Sequence, residues 1–421
     1  MENLSPQVEL INKIVSHGRD LGIGQVKVQD HSTNGRTINV NGKNLVYFGN
    51  CSYLGLEYDK RITEAAIDAI NRYGSLFSCS RAFASLSLHD ELEFLLEQIF
   101  DKPTLVSPTT TLGHISNIPT LVNQDDAIIL DHQVHASVNY AVQIVKANGT
   151  YVEVLRHNKM DVLESRIVKL KEKYKRVWYM SDGIYSMYGD SAPLKEMHAL
   201  MNKYDQFWCY VDDAHGMSWE GKHGCGFALN QMPYFHDHLL LTVSLVKGFG
   251  VQGGALIYPN KEIKNVVRNC GGTLMFSGPM SPATIAGNIA SAKIHLTDEI
   301  YDLQDSLRDK INYFLMTAKG LNLPLVSDEK TPIFFIGLGT PESGYEMSTK
   351  LKDSGFLLNM AVYPAVPYKN TGMRAVITNH HTKDDIYEML NTVSDHMIHM
   401  EKGKTINKEE IVKAFALGAT N

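Results

Sequence analysis

The chain has 421 residues, 44% of them hydrophobic, enough for a large core and two domains. Its 40 basic and 46 acidic side chains give a net charge of −6, which argues against a nucleic-acid footprint. Five cysteines (Cys51, Cys79, Cys209, Cys225, Cys270) with no C-x-x-C spacing argue against a disulfide framework or a zinc site. No apolar run nears the roughly 20 residues that span a bilayer. The segment Met1-Glu2-Asn3-Leu4-Ser5-Pro6 lacks the basic and apolar regions of a signal peptide, so the expectation is a soluble cytoplasmic protein.

Apolar positions at Val8, Leu10, Ile11, Ile14 and Val15 predict a helix from Pro6 to about Gly22. Thr37 to Phe48 alternates around Asn41-Gly42, a hairpin signal. Helices are predicted from Arg61 to about Tyr73 and from His89 to Phe100. Six strands follow, separated by helical stretches: Ala127–Leu130, Tyr151–Leu155, Arg176–Met180, Phe207–Val211, Leu239–Val243 and Gly254–Ile257. That alternation predicts an α/β fold with a mostly parallel sheet. After Ser277-Gly278-Pro279-Met280-Ser281-Pro282 a long helix runs from Ala283 to about Lys319. The final third reads as a smaller α+β domain with strands at Ile333–Ile336 and Arg374–Thr378, and a lysine-rich peripheral tail from Glu401. The expected division is an N-terminal arm (1–55), a large domain (56–290) and a small C-terminal domain (291–421).

Two of these strands end in reactive groups: Val211-Asp212-Asp213-Ala214-His215-Gly216 and Ser244-Leu245-Val246-Lys247-Gly248-Phe249-Gly250. The carboxyl edge of an α/β sheet is where ligands bind. A lysine that forms a Schiff base, with an aspartate facing a pyridinium nitrogen, is what pyridoxal 5'-phosphate (PLP) requires. Each residue also has a plainer reading. Lys247 can be a surface lysine, and Asp212 with His215 an acidic turn beside a core histidine. His135, just past a strand, can stack on a cofactor ring or serve only the core. Thr109-Thr110-Thr111 precede a helix, where hydroxyls and amides suit a phosphate or simple capping. Arg374 can hold a substrate carboxylate in a bidentate pair or stand in solvent.

The motifs together resemble the α-oxoamine synthase family of fold-type I PLP enzymes, over about Phe48 to His381. Tyr53-Leu54-Gly55-Leu56 resembles its Y-L-G-L, His89 to Glu93 its H-x-x-L-E, and Asp131 to Ser137 its D-x-x-x-H-A-S. Asp182 to Met187, Val211 to Gly216, Ser244 to Gly254 and Arg374 to Thr382 resemble the remaining motifs in order. The resemblance implies an aspartate-aminotransferase-like fold and a decarboxylating condensation of an α-amino acid with an acyl thioester (acyl-CoA or acyl-carrier protein), giving an α-amino ketone.

By that resemblance Lys247 is the Schiff-base lysine, Asp212 the pyridine-nitrogen partner and His135 the ring-stacking residue. His215 and Ser186 surround the phenolic oxygen, Ser244 contacts the phosphate with Thr109 and Thr110 near it, and Arg374 takes the amino-acid carboxylate. The family's homodimer places Ser277 against the neighbour's phosphate. Cys51-Ser52 stands where the family usually has asparagine, and Thr110-Thr111 replace an aromatic residue, so the departures fall on the substrate walls. An aminotransferase or carbon–carbon lyase of the same fold is the alternative. A non-catalytic partner subunit fits less well, because Lys247, Asp212 and His215 are all present.

Overall fold

The computed structural model describes residues 4–30 and 32–417; the reading of Met1-Glu2-Asn3 lies outside the described residues. In chain order the strands are β1 (Thr37–Val40), β2 (Lys43–Tyr47), β3 (Thr104–Ser107), β4 (Asp126–Asp131), β5 (Tyr151–Leu155), β6 (Arg176–Asp182), β7 (Phe207–Asp212), β8 (Leu239–Ser244), β9 (Gly254–Ile257), β10 (Ile333–Gly339), β11 (Phe356–Leu357), β12 (Asn359–Ala361) and β13 (Thr371–Val376). They belong to two compact units. One comprises residues through Tyr53, Ser186–Asp190 and Asp305 onward; the other comprises Leu54–Tyr185 and Ser191–Gln304.

The second unit is built on a seven-stranded sheet in the order β3-β9-β8-β7-β6-β4-β5. All its neighbouring pairs are parallel except those of β9, which runs antiparallel to both β3 and β8. Strands β4 and β8 are buried at every position, as short unbroken apolar runs require when both faces of a sheet are covered. Alternate residues feed two cores. Val177, Tyr179, Cys209 and Val211 face one set of helices with Leu163, Ile167 and Met197. Trp178, Met180, Tyr210 and Leu240 face the other, with Ile118, Val138 and Val142. From β4 the chain steps outward to β5 on one side and then to β6 on the other, so the direction of winding reverses there. A reversal of this kind opens a crevice at the carboxyl ends of the strands.

The helix predicted from Ala283 to Lys319 is two helices, Pro282–His295 and Glu299–Gly320. Ser281 caps the first by accepting the Thr284 N–H, and Thr297 ends it by donating its hydroxyl to the Ile294 carbonyl. Periodicity alone does not register such a local side-chain bond.

In the first unit, β1 and β2 form the hairpin that Asn41-Gly42 predicts. Both turn residues have positive φ (53° and 80°), which glycine and asparagine tolerate best. Strand β11 adds to β2 in parallel, and a separate antiparallel sheet runs β10-β13-β12. Strand β13 starts three residues before the predicted Arg374 and stops at Val376. The tail contains a peripheral helix, as expected from its lysines. Its helix Lys408–Phe415 buries Ile411 and sets Phe415 edge-on to Tyr188, 6.3 Å between ring centroids. Among the described residues no helix is long and apolar enough to cross a membrane.

Candidate active site

Three neighbouring parallel strands of the large sheet end in polar side chains at one edge: β6 in Asp182, β7 in Asp212 and β8 in Ser244. That edge opens on a cavity of about 320 Å³, a size that small ligands occupy. Of the residues singled out from sequence, Thr109, Thr110, His135, Asp212, His215, Ser244 and Lys247 all line it. Ser277 does not. It closes the short helix Gly272–Phe276 and donates its hydroxyl to the Thr273 carbonyl at 2.6 Å.

Asp212 is buried at the end of β7. Its Oδ1 accepts the Ala214 N–H at 3.1 Å and its Oδ2 lies 2.9 Å from His114 Nε2. Burial opposes its ionisation, but His114, His135 and Lys247 outweigh that and hold the carboxyl down at about 2. Asp182, opposite Asp212 in the register of β6 and β7, behaves in the reverse way. Burial and the Asp212 charge push it well above the usual carboxylate range, although its Oδ1 accepts the His135 N–H at 2.9 Å. Asp213 is likewise raised by burial, and its Oδ2 accepts the Ala228 N–H. Burial raises Asp182 and Asp213 while the cationic neighbours lower Asp212, so negative charge among these three carboxyls is favoured on Asp212.

His135 caps the helix Ala136–Ala147, its Nδ1 accepting the Ser137 N–H. The same Nδ1 lies 2.6 Å from the Ser137 hydroxyl, so the ring is held from that side. Burial, aided by Lys247 and His114 and opposed by Asp212, keeps His135 below the usual histidine value. Thr109 does cap its helix, its Oγ1 accepting the Leu112 N–H at 3.1 Å. The capping reading of that threonine is therefore correct as far as it goes, and the same first turn presents Thr110 and Thr111 to the cavity. Gly254 makes this possible: a Cβ there would lie 2.8 Å from the Thr110 nitrogen. Lys247 stands in a turn closed by Gly250 N–H to Lys247 O and Leu245 N–H to Gly253 O.

These residues fit PLP. A buried anion suits the ring nitrogen, a lysine amine suits the aldehyde, and the amides opening the helix Thr110–Leu121 suit the phosphate. His114 belongs to none of the motifs above. Its only sequence signal is a polar residue on the face of a helix that covers Tyr210 and Asp212.

Cys51, Ser186 and Arg374 belong to the other unit and meet there. Arg374, buried in the middle strand β13, donates Nε–H to the Ser186 carbonyl at 2.6 Å and lies 3.7 Å from Cys51 Sγ through its NH2 nitrogen. Tyr53 beside them is pushed well above its ordinary range by burial and then by Cys51.

No family model matches the chain. It is 33% identical to the 8-amino-7-oxononanoate synthase of Petrotoga mobilis over 366 residues, covering 84% of this chain and 89% of that protein. It is 30% identical to the serine palmitoyltransferase of Sphingobacterium spiritivorum over 357 residues, covering 83% and 86% respectively. Among solved structures, a serine palmitoyltransferase from S. paucimobilis superposes with a TM-score of 0.85 at 24% identity, over 94% of this chain and 98% of that one. The fold is accordingly that of the fold-type I PLP enzymes. With relatives at this identity over most of its length, the chain belongs to the α-oxoamine synthase family, the PLP-dependent acyltransferases that condense an α-amino acid with an acyl thioester and release carbon dioxide.

Proposed function

We propose that the cavity at the ends of β6, β7 and β8 is the PLP site, and that Lys247, Asp212, His135 and Arg374 carry the reaction. The observation that carries this reading is the convergence of Asp212, Lys247 and His135 on one cavity, with His114 Nε2 2.9 Å behind the Asp212 carboxylate. When bound, PLP supplies an electron sink for negative charge at the amino acid's α-carbon. Lys247 holds the cofactor through its amine and, once displaced, moves the α-proton. Asp212 keeps a proton on the ring nitrogen. His135 stacks on the ring, with Nδ1 held by Ser137 and Nε2 left for the substrate. Thr109, Thr110 and Ser244 take the phosphate, and His215 and Ser186 the phenolic oxygen. Arg374 holds the amino-acid carboxylate; among the described residues it donates to the Ser186 carbonyl and lies against the Cys51 sulfur, contacts that a substrate anion would complement. Cys51, beside Arg374, shapes that end of the substrate site.

The substrates are an amino acid and an acyl thioester, carried on CoA or an acyl-carrier protein. The enzyme works as a cytoplasmic homodimer in which Ser277 reaches the partner's phosphate. Unpaired cysteines suit a reducing compartment, and large apolar side chains exposed at Phe83 and Phe276 suit a second copy of the chain. The test is a matrix of amino acids against short and long acyl-CoAs, read by thiol release and carbon dioxide. The reading predicts both products from one pair, and a borohydride-reduced cofactor on the peptide containing Lys247. Amino-group transfer to an oxo acid without thiol release would move the chain's reaction to the aminotransferase alternative.

A further inference from the structure

Behind Asp212 lies a chain of side chains to which the roles above assign nothing. His114 is fully buried, and its Nε2 sits 2.9 Å from Asp212 Oδ2. Its Nδ1 is 2.7 Å from the Tyr210 hydroxyl, which in turn accepts from Thr242 Oγ1 at 2.9 Å. The order of protons follows from these partners. Thr242 donates to Tyr210, Tyr210 gives its own proton to Nδ1, and Nε2–H is left for Asp212. The elements explain the assembly. Tyr210 and Asp212 are two apart on β7 and share a face, Thr242 is the register partner of Asp212 on β8, and His114 descends from the helix Thr110–Leu121.

We propose that His114 is the positioning residue for Asp212: its Nε2–H, with its proton order set by Tyr210 and Thr242, fixes one oxygen of the carboxylate and localises the site's negative charge there. The proposal rests on reading the cavity as the PLP site. What gives it weight is the competition nearby. Asp182 and Asp213 are also buried, and Lys247 and His135 face the same group of carboxyls. Asp182 receives one backbone N–H and Asp213 another, with Asp213 Oδ1 lacking any partner. Among the described residues, Asp212 has the His114 imidazole at 2.9 Å, while Asp182 and Asp213 each take a backbone N–H. Two neutral carboxyls and one ionised one is the arrangement those partners favour, since like charges this close do not all ionise.

The experiment uses full-length apoenzyme titrated with PLP across a pH series, with the thermal midpoint of each apoenzyme as the measure of folding. Wild type is expected to bind PLP with an affinity that stays flat through neutral and mildly acidic pH. His114→Leu is expected to bind more weakly and to lose affinity progressively as pH falls, about tenfold for each unit by which protonation of Asp212 moves up. His114→Gln, whose amide N–H can reach the same oxygen, is expected to recover most of the flat profile. A merely structural histidine would change the thermal midpoint without tilting the pH profile of affinity. A folded His114→Leu with wild-type affinity at every pH would overturn the proposal. If His114→Leu does not fold, Tyr210→Phe takes its place, with a smaller tilt of the same sign expected and an unchanged profile overturning it. Failure of wild-type apoenzyme to take up PLP would overturn the reading of the cavity as well.

Discussion

At the scale of single residues, charge is placed where burial makes it consequential. Lys247→Ala is expected to lower condensation at least about a hundredfold, the usual scale for losing a proton-moving group, and to abolish borohydride-trapped cofactor on the protein. Arg374→Ala is expected to raise the KM for the amino acid roughly tenfold or more, the scale of a charge-assisted pair, with the KM for the acyl thioester moving far less. Steady-state kinetics with each substrate varied in turn separates the two. A different buried charge serves the fold. Glu93, the acid of the H-x-x-L-E segment, is 5% exposed and lies 3.0 Å from the Arg81 guanidinium, which is 11% exposed. Lys264 and Arg268 approach its other oxygen at 3.5 and 3.4 Å. Glu93→Ala leaves these cations without their shared partner and is expected to cost about 3 kcal/mol of stability, read by denaturant unfolding.

At the scale of elements, caps and turns fix where helices begin. Thr382 and Asp385 form a capping box at the start of the helix Lys383–Lys402, and Asp385 also takes a two-pronged bond from Arg36 at 2.6 and 2.8 Å. Thr382→Ala is expected to destabilise the protein by about 1 kcal/mol. Burial raises the Asp385 pKa, but the hydrogen bonds from Arg36 and Thr382 outweigh it and leave the group below its ordinary 3.8. A depressed carboxyl contributes its stability above the unfolded-state value and loses it as pH falls through the folded value. Arg36 is 44% exposed, which keeps the pair's worth near 1 kcal/mol. Thermal melts of Arg36→Ala and wild type should therefore differ at neutral pH and converge below about pH 4. The same logic explains Thr109. A cap at the start of the helix Thr110–Leu121 also fixes the direction of its first-turn amides, in a turn whose Thr109, Thr110 and Thr111 line the cavity.

At the scale of the whole molecule, the first 53 residues fold with the C-terminal part of the chain, and Arg374 is held by Ser186 from a five-residue excursion, Ser186–Asp190, into that unit. The other unit exposes Phe83 at 89% and Phe276 at 83%, with the turn containing Ser80 tied to the Met275 carbonyl at 2.6 Å. Exposed aromatics of this size mark a surface that associates. On the proposed homodimer, Phe276→Asp is expected to shift the protein toward monomer in light scattering and, with the adjacent Ser277 proposed to reach the partner's phosphate, to weaken PLP retention together with it.

Much of this protein is legible along the chain. Asp212, Ser244 and Lys247 end or follow apolar runs that are strands for the reason those runs are apolar: both faces of the sheet are covered. Asn41-Gly42 turns the hairpin because its backbone angles demand those residues. The sequence by itself thus determined six of the seven strands of the large sheet, the cofactor chemistry and the family; the edge strand β3 is not among those six. Only the tertiary structure decided which partners each of the three carboxyls receives, that Thr109 caps as it lines the cavity, and that Cys51 and Ser186 meet at Arg374. It alone brought His114 to Asp212. Charge localisation depends on partners far apart in the chain and on how completely water is excluded around them, and neither quantity is written in local spacing.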